Sequence, residues 1–113
     1  MDLTAHANLW LEVNGQVALS RWRVQLLEAI EKTGSIRKAA ALLEITYPLA
    51  WHRLDEMEKR LGIQLVHRQR GGPQGGTAQL TEQGRDYVAR FNRFAAQVDA
   101  AIAQAFQTHF AGR

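Results

Sequence analysis

The 113-residue sequence predicts a mainly α-helical fold with two small β-hairpins and a long C-terminal dimerisation helix. Three observations predict it. Apolar residues recur at helical spacing in four stretches, each preceded by a Ser or Thr able to cap it: Ser20, Ser35, Thr46 and Thr81. An Asn-Gly pair and a glycine-rich run each lie between short apolar segments, as strands joined by tight turns require. The last apolar pattern, from Glu82 to about Phe110, is too long for a small domain to bury alone. The length fits one domain over residues 1–113: a hairpin at 9–19, a central unit at 20–81 and the long helix at 82–110.

In chain order, LWLEVNGQVAL at 9–19 places Leu9, Leu11 and Val13 at alternating positions, turns at Asn14-Gly15 and resumes at Val17 and Leu19. Ser20 then caps a first helix, whose Trp22, Leu26, Leu27 and Ile30 keep helical spacing until Gly34 stops it. Ser35 caps a short second helix. Its inner face, Ile36, Ala39, Ala40 and Leu43, is narrow and mostly small, which suits close approach by another helix. After a turn through Glu44 and Ile45, Thr46 caps a third helix that runs from about Tyr47 to Leu61 and ends at Gly62. Ala50, Leu54, Met57 and Leu61 make its buried stripe. The opposite side carries Pro48, His52, Asp55 and Lys59, with Leu49 and Arg53 on one shoulder and Tyr47 and Trp51 on the other.

The stretch HRQRGGPQGGTAQLTEQG at 67–84 could be a nucleotide cradle or a hairpin tip. A P-loop needs Lys-Ser or Lys-Thr after its last glycine and then a helix, but Gly76 is followed by Thr77-Ala78-Gln79-Leu80, which reads as a strand. With Leu65-Val66-His67-Arg68 as its partner strand, the loop becomes a hairpin. Two short helices joined by a tight turn, the second polar and aromatic in its first half, followed by this hairpin, make a winged helix-turn-helix. Its glycines let the wing backbone lie close to a sugar-phosphate surface and donate N–H groups to it.

Charge supports that reading. Eleven of the fourteen basic residues are arginine, and the formal net charge is +3. No acidic residue lies between Glu58 and Glu82, whereas Lys59, Arg60, Arg68 and Arg70 do, so a positive field is expected around the hairpin. There is no cysteine, which excludes disulfides and thiol catalysis. His6, His52, His67 and His109 are too scattered to suggest a metal site. With no signal-peptide pattern and no long apolar run, the expectation is a cytoplasmic, non-enzymatic protein without cofactor, metal or membrane partner.

On the long helix Tyr87, Phe91, Phe94, Val98, Ala101 and Ala105 recur at alternating four and three, and Val88, Ala95, Ile102 and Phe106 form a second stripe beside them. Two-fold pairing of such helices gives a homodimer, with Tyr87, Phe91, Phe94, Val98, Ala101, Ile102 and Ala105 expected at the interface. Two recognition helices could then meet successive major grooves about 34 Å apart. For double-stranded DNA the expected contacts on the third helix are Thr46, Tyr47, Pro48, Leu49, His52 and Arg53. Ser35, Arg37 and Lys38 are expected where the second helix crosses the duplex, and Arg68, Arg70, Gly71, Gly72, Gly75 and Gly76 along the wing. Tyr47 has two readings, capping the helix entrance or touching a phosphate or base. Trp51 reads as core or wing packing, and Asp55 and Glu56 as partners that orient neighbouring arginines.

The run GSIRKAAALLEITYPLAWHRLDEMEKRLGIQLVHR followed by LTEQG resembles the N-terminal DNA-binding domain of LysR-type regulators over about residues 20–110. Tyr47 with Ala50-Trp51, and the GG-x-x-GG-x-A-x-LT wing at Gly71 to Thr81, are similar to the ModE-type, molybdate-responsive branch. Pro48 and Leu49 depart from it, standing where small or polar residues are common. The resemblance implies a dimeric, sequence-specific regulator of transcription linked to molybdenum metabolism. Regulators of this branch usually carry a C-terminal molybdate-binding domain; the sequence ends at Arg113, so the expectation is a stand-alone DNA-binding protein with no identifiable effector site. A dimeric protein-interaction adaptor on the same scaffold remains an alternative, as does a weak oxyanion-binding protein that uses the glycine-loop amides as an anion nest.

Overall fold

The computed structural model describes residues 2–69, 71 and 76–110. The elements in order are β1 (Trp10–Val13), β2 (Gln16–Ser20), α1 (Arg21–Thr33), α2 (Ile36–Leu42), α3 (Tyr47–Leu61), β3 (Val66–Gln69), β4 (Thr77–Leu80) and α4 (Glu82–His109). Each helix starts where the sequence offers a cap. The side chains of Ser20, Ser35, Thr46 and Thr81 accept the backbone N–H of Arg23, Lys38, Leu49 and Gly84. Gly34 and Gly62 end α1 and α3 with left-handed φ of 73° and 71°.

Two antiparallel hairpins, β1–β2 and β3–β4, are separate two-stranded sheets. The first turns through Asn14 and Gly15, both at positive φ, and carries a bulge between Leu11 and Glu12. The second pairs Val66 with Leu80 through to Gln69 with Thr77. Its first strand lies one residue later than the sequence pattern suggested: Leu65 precedes it, with its amide donating to the Glu58 carboxylate at 2.8 Å and its carbonyl accepting the Thr81 amide at 2.9 Å.

The core is built by Leu19 of β2, Val24, Leu26, Leu27 and Ile30 of α1, Ala39 and Ala40 of α2, Ala50, Leu54 and Met57 of α3, and Leu65, Val66, Ala78 and Leu80 around the wing. The small faces of Ala39, Ala40 and Ala50 are almost fully covered, which lets α2 and α3 approach closely. Between them Glu44 takes a positive φ of 58°. The wing is tied to the body where the Ala78 amide donates to the Gly34 carbonyl at 2.8 Å. Gly84, in the first turn of α4, presses on the Leu65 carbonyl so closely that no Cβ fits there. The glycine of LTEQG is thereby explained.

The first half of α4 completes this core through Phe91 and Ala95. Phe91 is only 3 % exposed. Its assignment to a dimer seam is therefore corrected: its own domain already covers the ring, leaving almost no area for a partner. Beyond Ala95 no described residue of α4 is buried, and with this helix the molecule measures 62 × 30 × 22 Å. Phe94 stays 45 % exposed, Val98 is half-buried, and Ala101 and Ala105 are exposed. Ile102 differs from these. It lines a shallow groove with Phe106 and with Ala5, His6 and Ala7 of the chain's own N-terminal segment, beside the 2.7 Å Arg21–Asp99 ion pair.

Candidate nucleic-acid interface

The exposed edge of the helix-turn-helix begins at the starts of α2 and α3. Thr46 caps α3, so Tyr47 is its first helical residue and Pro48 follows where a missing N–H costs nothing. Pro48, His52, Asp55 and Lys59 are exposed, as a helix with its stripe turned inward demands, and Leu49 and Arg53 flank them half-buried. On α2 Arg37 and Lys38 are exposed. Ser35 is half-buried and its hydroxyl is occupied as the cap.

Of the two roles read for Tyr47 from sequence, capping the helix falls to its neighbour. Thr46 is the cap, and the Tyr47 ring lies under the Arg37 guanidinium, 4.2 Å from ring centroid to Cζ. Its edge meets the Trp51 ring at 6.3 Å and 87°. Trp51 in turn carries the Arg68 guanidinium at 4.7 Å, so it packs against the base of the wing. Ser35, Arg37, Tyr47, Trp51, Arg68, Gln69, Gly71, Gly76 and Thr77 line one groove of about 570 Å³ between α2, α3 and the wing. Gly76 passes too close to the Gln69 carbonyl for a side chain. Arg70, Gly72 and Gly75, also assigned to the interface, lie outside the described residues.

Among the described residues the electrostatics differ from the expectation of a positive field around the hairpin. Arg68 binds Glu58 at 2.7 Å, Lys59 binds Asp55 at 3.0 Å and Arg60 binds Glu56 at 3.4 Å. The acid-free window after Glu58 is thus largely neutralised by carboxylates just before it, one helical turn back on α3 or reaching forward to the strand. The Arg68 side chain is 25 % exposed, and its buried Nε has no hydrogen-bond partner among the described residues. The Arg68 charge serves the wing's attachment to α3. Glu58 reinforces this by accepting the Leu65 and Val66 amides as well.

Glu56 is the residue whose importance sequence reasoning understated. It accepts from Arg23 at 3.0 Å, from Arg53 at 3.2 Å and from Arg60 at 3.4 Å, with His52 Nε2 at 3.4 Å. Arg60 also donates to the Val17 carbonyl at 2.7 Å, so one carboxylate links α1, α3 and the β1–β2 hairpin. Burial alone would raise the Glu56 pKa, but the Arg23 hydrogen bond and the charges of Arg23, Arg53 and Arg60 outweigh it and hold the carboxyl below its ordinary value of 4.5. The i, i+3 spacing of Arg53 to Glu56 was visible; the Arg23 contact, from another helix, was not. Arg37 and Lys38 have no ion-pair partner among the described residues. Among the described residues, the uncompensated charge beside the α3 face therefore sits on α2.

Among the described residues no group of three His, Asp or Glu could hold a metal, and no helix is long and apolar enough to cross a membrane. The chain is 40 % identical over 96 residues to the molybdenum transport protein ModE of Azotobacter vinelandii, covering 85 % of this chain and 36 % of that protein. It is 38 % identical over 76 residues to the molybdenum-pterin-binding protein MopB of Rhodobacter capsulatus, covering 67 % and 28 %. With the DNA-binding transcriptional dual regulator ModE of Escherichia coli strain K12 it shares 31 % over 93 residues, covering 82 % and 36 %. The chain thus spans about a third of the length of these curated relatives. Among solved structures, Vibrio fischeri DarR in complex with DNA superposes with a TM-score of 0.62 at 22 % identity, covering 84 % of this chain and 31 % of DarR. The BenM DNA-binding domain on its benA site 1 DNA gives 0.59 at 22 %, covering 84 % and 100 %. These likenesses show the fold. Residues 22–85, which hold α1 through the wing and make up more than half of the chain, match the model for bacterial regulatory helix-turn-helix proteins of the lysR family, and to that family the chain belongs.

Proposed function

We propose that this chain is a sequence-specific, double-stranded-DNA-binding regulator of transcription that works as a homodimer in the cytoplasm, without catalytic chemistry, and is linked to molybdenum metabolism. One observation carries the DNA reading: the polar face at the start of α3, with Pro48 and His52 exposed, stands beside Arg37 and Lys38 at the start of α2, cations without an ion-pair partner among the described residues, so a face able to read bases adjoins charges able to hold phosphates. In this reading α3 enters the major groove and presents Pro48, Leu49, His52 and Arg53 to base edges. Arg37, Lys38 and the wing backbone fix register on the phosphates. Phe94, Ala101 and Ala105, left exposed on α4, and the half-buried Val98 pair with the same residues of a second copy.

The link to molybdenum rests on the names of the relatives. A direct molybdate site within this chain is not part of the proposal. A tetrahedral oxyanion is held by buried donors that converge in a dry pocket. Thr81 is the one buried polar residue among those described, and its hydroxyl already donates to the Gln64 carbonyl and accepts from the Gly84 amide.

Selection of bound sites from a random DNA pool tests the function. A two-fold symmetric consensus bound with a steep salt dependence is expected. Recovery of no consensus, with weak and sequence-independent binding, would favour the adaptor alternative.

A further inference from the structure

We infer that Tyr47 is a positioning residue for DNA binding, a platform that holds the Arg37 guanidinium toward a backbone phosphate along the groove between α2, α3 and the wing. The inference rests on the DNA-binding reading and deepens it by assigning one contact. Its basis is a relay of side chains. Glu58 fixes Arg68 at 2.7 Å, Arg68 covers Trp51 at 4.7 Å, Trp51 meets the edge of Tyr47 at 6.3 Å, and Tyr47 supports Arg37 at 4.2 Å. The two guanidiniums of this relay differ in one respect: Arg68 has a carboxylate, and Arg37 has none among the described residues.

That difference decides what each can do. An aromatic ring covers one face of a guanidinium and leaves the N–H donors at its edge free for the bidentate geometry that phosphate accepts. An exposed arginine otherwise loses much rotamer freedom when it binds, and a ring that already restricts it reduces that loss. Tyr47 is itself held at the first position of α3 by the Thr46 cap and by Trp51. The phenol hydroxyl has no part in this role, so the ring alone should suffice.

The experiment measures affinity for the selected DNA site across a salt series, with thermal midpoints, for the wild type, Tyr47→Phe, Tyr47→Leu, Arg37→Ala and the Tyr47→Leu/Arg37→Ala double variant. Tyr47→Phe is expected to bind within about twofold of the wild type and Tyr47→Leu about three- to fivefold more weakly. Arg37→Ala should lower the salt slope by about one unit, and the double variant should bind no more weakly than Arg37→Ala alone. Losses that multiply in the double variant, or a Tyr47→Phe as weak as Tyr47→Leu, overturn the inference. Should Tyr47→Leu fail to fold, the side-chain protons of Arg37 in the wild type and in Tyr47→Phe decide instead: upfield ring-current shifts retained on adding DNA support the platform, and their absence overturns it. A wild type that binds no DNA removes the parent reading and this one with it. Wild-type binding with additive losses removes this one alone.

Discussion

Replacing Glu56 by Gln keeps the shape of the side chain and removes its charge, which isolates what the carboxylate does. Arg23 is the partner that suffers most: its side chain is 11 % exposed, against 35 % for Arg53 and 22 % for Arg60. Breaking a fully buried pair on one side costs about 3–5 kcal/mol, and breaking an exposed pair about 0–1 kcal/mol. Arg23 falls toward the first limit and the other two toward the second, so a loss of about 2–3 kcal/mol is expected. For a domain of this size that lowers Tm by about 10 °C. The pH dependence separates charge from packing. Because Arg23, Arg53 and Arg60 hold the folded-state pKa below 4.5, the stabilisation is complete above that value and fades as pH falls from there through the folded value. Thermal unfolding of both proteins between pH 7 and pH 3 should therefore show a Tm gap that is constant down to the ordinary carboxylate range and closes below it. A gap that persists unchanged at pH 3, or one of less than about 2 °C at pH 7, would refute the charged hub.

Other substitutions test the division of labour on the surface. His52→Ala or Arg53→Ala should relax base preference in competition titrations on matched and scrambled sites, whereas Lys38→Ala should weaken binding to all sequences and lower the salt slope by about one unit. Phe94→Asp combined with Ala101→Asp should leave the fold intact, since both side chains are exposed, but abolish the proposed pairing of two copies in sedimentation at micromolar concentration. Gly84→Ala should lower Tm by several degrees, because the added Cβ meets the Leu65 carbonyl and the first turn of α4 must shift. Isothermal titration with micromolar molybdate should give no selective heat over sulfate; tight, selective binding would reveal a pocket outside the described residues or between two copies.

The helices were legible because their signals are local. A hydroxyl before an apolar repeat and a glycine after it state where a helix starts and stops, and Ser20 to Gly34 and Thr46 to Gly62 did so to the residue. Asn14-Gly15 fixed the first hairpin in the same way, through a turn that needs two positive φ angles. The stripes of α4 were harder to read. Periodicity gives a face, but it does not say whether that face meets its own domain or another chain, and Phe91 and Phe94 belong to the same stripe with opposite fates. What separates them is how far the body of the domain reaches along the helix, a tertiary quantity. The N-terminal segment beside Ile102 is a case of the same kind: nothing in Ala5-His6-Ala7 marks a surface that will lie beside a helix far along the chain.

At the interface the residue types were legible and the pairing was not, and the pairing decides the electrostatics. Three carboxylates on α3, Asp55, Glu56 and Glu58, neutralise Lys59, Arg23, Arg53, Arg60 and Arg68 in whole or in part. An arginine that must leave a carboxylate to reach a phosphate exchanges one ion pair for another and gains little, whereas Arg37 and Lys38, without an ion-pair partner among the described residues, gain the full contact. Binding to arbitrary sequence should then draw mainly on α2. Arg53, held by Glu56, should contribute only where a base edge offers hydrogen bonds that replace the carboxylate. Such an arrangement lowers nonspecific affinity more than specific affinity, and the ratio of the two governs occupancy among many competing sites. The Glu56→Gln variant tests this too: releasing Arg53 and His52 should raise affinity for scrambled DNA while narrowing its difference from the selected site.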